Sequence, residues 1–101
     1  MNYSIKLLPI AYKDLLEAKK WYNQQKENLG EEFKKAVISE IDYIKVYPEN
    51  YQLKYKELRQ SLVKGFPYAI FYLFQKSKLR IIIFGVLHTS RNPEIVRKRM
   101  K

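Results

Sequence analysis

The chain has 101 residues, 47% of them hydrophobic, and a formal net charge of +10. That length suits a single domain over residues 1–101, and so much apolar content argues against a disordered chain. The absence of cysteine excludes disulfides, thiolate nucleophiles and cysteine-ligated zinc.

No stretch reaches the roughly 20 apolar residues of a membrane span, and the N-terminus lacks the apolar core of a signal peptide, so a cytoplasmic protein is expected. Tyr3–Leu7 alternates apolar and polar residues and predicts a half-buried strand. Pro9 then suits the first turn of a helix whose apolar stripe is Ala11, Leu15, Ala18 and Tyr22. Trp21 beside this stripe is read as a packing or interface residue. Asn28-Leu29-Gly30 reads as a break. A second helix is expected from Glu31 and Glu32, whose charge favours a helix N-terminus, with a stripe of Phe33, Val37, Ile41 and Ile44 ending before Pro48.

A loop is expected near Tyr51–Lys54 and a strand over Lys56–Val63, followed by a tight turn at Lys64-Gly65. Two long apolar runs follow, Phe66–Phe74 and Leu79–Leu87, joined by Gln75-Lys76-Ser77-Lys78. Their aromatic and β-branched residues predict paired strands covered on both faces. Pro67 donates no ladder hydrogen bond and belongs near a strand start, at an edge or at a bulge. The expected order is β-α-α-β-β-β, an α+β fold in which a helical hairpin covers one face of a small, mainly antiparallel sheet. Glu94–Lys101 is expected as a short basic tail, either helical or frayed.

The charge is segregated. Residues 1–50 carry eight lysines against eight acids, whereas residues 51–101 carry twelve Lys or Arg against only Glu57 and Glu94. A charge excess confined to one half favours a polyanionic partner such as nucleic acid, the ribosome or an acidic protein segment. One His and no Cys make no typical zinc site, three isolated glycines make no nucleotide fingerprint, and no hydrolase triad signature occurs. No cofactor or metal is expected.

What remains is a set of Lys, Arg and His. RNA cleavage without a metal needs a base for the 2′-hydroxyl, cations for the developing phosphorane charge and an acid for the leaving oxygen. His88 has the chemistry of the acid or base, and Arg59 and Arg91 that of phosphate clamps. Lys54, Lys56, Lys64 and Arg80 are candidates for holding RNA or another target. A lone His after a strand also serves as a cap or an interface residue.

The segment Arg59-Gln-Ser-Leu-Val-Lys-Gly-Phe-Pro-Tyr68 and the ending Val86-Leu-His-Thr-Ser-Arg-Asn-Pro93 resemble the RelE/ParE superfamily, the toxic halves of bacterial type II toxin–antitoxin modules. The resemblance covers nearly the whole chain. It implies a small basic toxin neutralised by a co-expressed antitoxin, with either of two targets. RelE-like members cut mRNA at the ribosome without a metal, whereas ParE-like members poison DNA gyrase and are not nucleases. The chain has no tyrosine after Tyr72, so it departs from members with a C-terminal catalytic tyrosine, and His88 would have to take that role. On these residues the reading leans to ribosome-dependent mRNA cleavage, with gyrase poisoning as the alternative. An inert basic nucleic-acid-binding module is the third reading.

Overall fold

The computed structural model describes residues 3–100. Strand β1 (Ser4–Leu7) leads into helix α1 (Pro9–Gln25), helix α2 (Leu29–Val46), and strands β2 (Gln52–Tyr55), β3 (Leu58–Leu62), β4 (Tyr68–Gln75) and β5 (Arg80–His88). Helix α3 (Glu94–Arg99) follows. The sheet order is β1-β5-β4-β3-β2, with β1 parallel to β5 and every other pair antiparallel. The α+β class and the mainly antiparallel sheet are as the sequence predicts.

The element count differs from the expected order at two places. The expected loop at Tyr51–Lys54 contains β2, and the strand expected over Lys56–Val63 is shortened to β3 because Lys56 and Glu57 turn the chain between them. Lys56 does so in the left-handed region, at φ 47°, without the Gly or Asn that usually announces such a turn. Of the two forms expected for the basic tail the helical one is found, as α3, anchored by the fully buried Val96; Lys101 lies outside the described residues. Pro67 lies just before β4, outside the ladder, and Gly65 turns at φ 85°.

Helix α1 buries Ala11, Leu15, Ala18 and Tyr22, the predicted stripe. On α2, Phe33, Val37 and Ile44 are buried and Ile41 packs partly against the same core. Asn28, at φ 66°, turns the chain between the helices, and α2 begins two residues earlier than Glu31. Gly30 is therefore no break. It sits where α2 crosses α1, and its N–H donates to Asn23 Oδ1 at 2.7 Å, satisfying one of the free donors of a helix start. A Cβ at Gly30 would collide with the Lys19 carbonyl oxygen and lie 2.6 Å from the Asn23 side chain. Gly30→Ala is expected to destabilise the fold by about 1–3 kcal/mol, read by urea denaturation, because the helices must part.

The two faces of the sheet have separate cores. Against α1 and α2 lie Ile70, Tyr72, Ile81, Ile83 and Val86; against α3 lie Leu58, Ala69, Phe71 and Leu87. Helix α3 is thus what covers the second face of the two apolar runs. The ladder slips between Phe71 and Tyr72, which face Gly85 and Ile83 respectively, so Phe84 is the extra residue of a β-bulge.

Beyond Leu7, strand β5 has lost its β1 partner, and two side chains take over the ladder. Asp14 of α1 accepts from the Val86 N–H at 3.0 Å, and Arg99 of α3 donates to the Phe84 carbonyl at 3.1 Å. Between them Arg99 Nη1 and Nη2 reach Asp14 Oδ2 and Oδ1 at 2.6 and 3.1 Å. Gly85 leaves room for this crossing, since a Cβ there would lie 2.8 Å from Arg99 Nη1.

Candidate functional site

The end of β5 is set by main-chain geometry. His88 faces Tyr68 across the ladder, and the Thr89 N–H donates to the Pro67 carbonyl at 2.9 Å, closing the strand end. The Ser90 N–H donates to His88 Nδ1 at 3.0 Å and the Arg91 N–H to the His88 carbonyl at 2.9 Å. With Nδ1 accepting, the proton of neutral His88 sits on Nε2. The rings of Tyr68 and His88 meet edge to face at 5.3 Å. Burial raises the pKa of the Tyr68 hydroxyl above its ordinary value, Tyr22 and Asp14 add to the shift, and the Arg91 charge opposes it.

The seven predicted site residues fall into separate groups. Lys54, His88 and Arg91 line one shallow depression of about 130 Å³ with Gln60 and Thr89, floored by Phe71 and Leu87. Lys56 and Arg59 line another, of about 470 Å³, with Lys76 and Lys78. One nitrogen of the Arg59 guanidinium is taken up by main chain: Nη1 donates to the Tyr51 and Glu49 carbonyls at 2.7 and 3.3 Å. In register, Arg59 faces Tyr72 whereas His88 faces Tyr68, and β4 lies between their strands. Four residues along a strand and two strands across put their Cα atoms roughly 16 Å apart. Arg80 stands at the opposite end of β5 from His88, where its Nε and Nη2 donate to Gln75 Oε1 at 2.9 and 2.7 Å. Lys64 is exposed in the turn before β4. The structure thus joins His88 with Arg91 and Lys54, and leaves Arg59 and Arg80 apart from them.

A polar network on the α2 side, not foreseen from the residues, fixes the neighbouring strand. Tyr51 and Ser61 both donate to Glu40 Oε2, and Tyr72 donates to the Pro48 carbonyl at 2.6 Å. Burial raises the pKa of the Tyr51 hydroxyl well above its ordinary value, and the hydrogen bond to Glu40 adds to it. Among the described residues no three His, Asp or Glu side chains gather as a metal site would need, and no helix is long and apolar enough to cross a membrane. Lys54, Lys56, Lys64, Lys78, Arg91 and Lys98 have no carboxylate partner among the described residues.

The class is thus an α+β fold, a helical hairpin packed on one face of a mainly antiparallel sheet. Residues 5–93 match the sequence model described as the ParE toxin of the type II toxin–antitoxin system, parDE. The chain belongs to the ParE toxin family. Among solved structures it is similar to a chain of the chromosomal ParDE system from P. aeruginosa, with a TM-score of 0.74 at 14% identity, covering 85% of this chain and 95% of that one. It is also similar to a mutant of the E. coli toxin RelE in the free state, with a TM-score of 0.57 at 15% identity, covering 98% and 94%. No curated protein sequence matches.

Proposed function

We propose that this toxin arrests growth by binding DNA gyrase, without cutting RNA, and that a co-expressed antitoxin holds it inactive. The observation that supports this reading is the distance between Arg59 and His88, together with the engagement of Arg59 Nη1 by the Tyr51 and Glu49 carbonyls. A metal-free ribonuclease needs its acid, base and phosphate clamp within hydrogen-bond reach of one phosphate. The ParE family match points the same way. The antitoxin follows from the family, and a basic surface suits an acidic segment that folds on binding.

One observation favours the other reading, ribosome-dependent mRNA cleavage. Lys54, His88 and Arg91 share a single depression, and a histidine between two cations has the chemistry for proton transfer at a phosphate.

The test is induced expression followed by mRNA 5′-end mapping beside a DNA-damage reporter. The expected outcome is gyrase-dependent DNA breaks, no new mRNA ends, and growth arrest retained within about threefold by His88→Ala, since loss of a true acid or base costs about 10²–10⁴-fold. New mRNA ends that vanish in His88→Ala would replace gyrase poisoning with cleavage. Absence of any growth arrest would leave only a basic nucleic-acid-binding module.

A further inference from the structure

On the side of the sheet covered by the helices, two cavities meet at Trp21, Tyr68 and His88. One, of about 360 Å³, is lined by these three with Tyr22 and Pro67. The other, of about 190 Å³, continues past Asp14, Glu17 and Arg91. Trp21 is 54% exposed over them although Ala18 and Tyr22 beside it are buried. A large aromatic kept half in water forgoes burial that packing would otherwise reward.

The polar groups around the cleft are mostly donors without partners. The Trp21 indole N–H, the Tyr68 hydroxyl and the Arg91 guanidinium make no side-chain hydrogen bond among the described residues. His88 has Nδ1 occupied by Ser90, which leaves Nε2–H for a ligand. Of the two acids on the cleft wall, Asp14 is held by Arg99 at 2.6 Å, whereas Glu17 stands at the exposed rim, 3.9 Å from Lys13. Arg91 lines the same cavity and has no carboxylate within ion-pair distance among the described residues. Lys20 and Lys64, close in sequence to Trp21 and Pro67, also lack a carboxylate partner among the described residues. Flat rings, hydrogen-bond donors and an unpaired cation are the requirements of a stacked base with its phosphate.

We propose that the Trp21–Tyr68–His88 cleft binds a single-stranded polynucleotide, one unpaired base stacking among the rings and an adjoining phosphate resting on Arg91. A duplex does not fit, because its bases already stack on one another. An acidic peptide would answer Arg91 but make less use of four aromatic rings. This binding is separate from the gyrase reading and stands or falls without it.

Trp21 is the only tryptophan of the chain, so its fluorescence reports on the cleft directly. The toxin is titrated with a fluorescein-labelled twelve-nucleotide oligothymidylate, with oligouridylate in parallel to read any preference for the 2′-hydroxyl. Saturable Trp21 quenching is expected with at least one of the two strands, and a duplex of equal length should not compete. By anisotropy, Trp21→Ala should weaken binding about tenfold or more, and Trp21→Phe should restore most of it. Arg91→Gln should reduce the slope of log K against log salt by about 0.7. Because both side chains are exposed, unchanged circular dichroism is expected for these variants. Failure of both strands to bind overturns the proposal. So does equal affinity of the parent and Trp21→Ala, which would place binding on the sheet cations, or equal quenching by polyglutamate of matched length.

Discussion

Replacing Asp14 with Ala is expected to lower the unfolding free energy by about 3–5 kcal/mol, the cost of removing one partner from a buried ion pair. For a domain of this size that corresponds to a fall in Tm of roughly 12 °C or more. The magnitude follows from position. The side chains of Arg99 and Asp14 are only 15% and 12% exposed, and each also closes a main-chain group of β5. Removing Asp14 leaves the Arg99 charge buried and the Val86 N–H without its acceptor, and an orphaned buried donor carries its own desolvation cost. Arg99→Ala should cost a similar amount and also loosen α3. The double variant should cost well below the sum of the two, since either single change already strands the other group. Urea denaturation of the three variants measures all of this, and strict additivity would refute the coupling.

The second large effect is expected at Phe33. Phe33→Ala should destabilise by about 3–5 kcal/mol, because a fully buried aromatic leaves a cavity that its neighbours fill only in part. Its ring centroid lies 5.2 Å from Tyr22, 5.2 Å from Phe66 and 4.9 Å from Tyr68. One substitution on α2 therefore loosens α1, the turn before β4 and the first residue of β4 together. Because Tyr68 also touches His88, the change should reach the end of β5. Calorimetry gives the stability, and near-ultraviolet circular dichroism gives the loss of fixed aromatic packing. A loss below about 1 kcal/mol would mean that the four rings do not act as one packed unit.

Both effects show where reading the chain residue by residue stops. Ala11, Leu15, Ala18 and Tyr22 could be placed on one helix face because their spacing follows the helical turn, and all are buried. The apolar runs of β4 and β5 were legible because nearly every position was apolar, which is what strands covered on both faces require. Strand β2 was missed because Gln52–Tyr55 is short and polar, and because it is followed by a turn without Gly, Pro or Asn. For α3 the residues left helix and frayed tail open, because six residues with a single deeply buried side chain carry little periodicity.

By itself the sequence determined the α+β class, the helical hairpin, the placing of all excess charge in the second half, and the RelE/ParE superfamily, through Phe66-Pro67-Tyr68 and the ending His88 to Pro93. These properties are local or compositional, so nearby residues carry them. Only the tertiary structure decided which charged groups meet. Asp14 and Arg99 are 85 positions apart, and they meet because β1 ends early and leaves the edge of β5 open. Arg59 and His88 were matched by chemistry alone, but strand register holds them apart and main-chain carbonyls engage Arg59 Nη1. Trp21 read as either packing or interface, and only the path of α1 over the sheet leaves it standing half in water beside Tyr68 and His88. Spacing along a chain fixes which face a side chain takes; only register and packing fix what it faces.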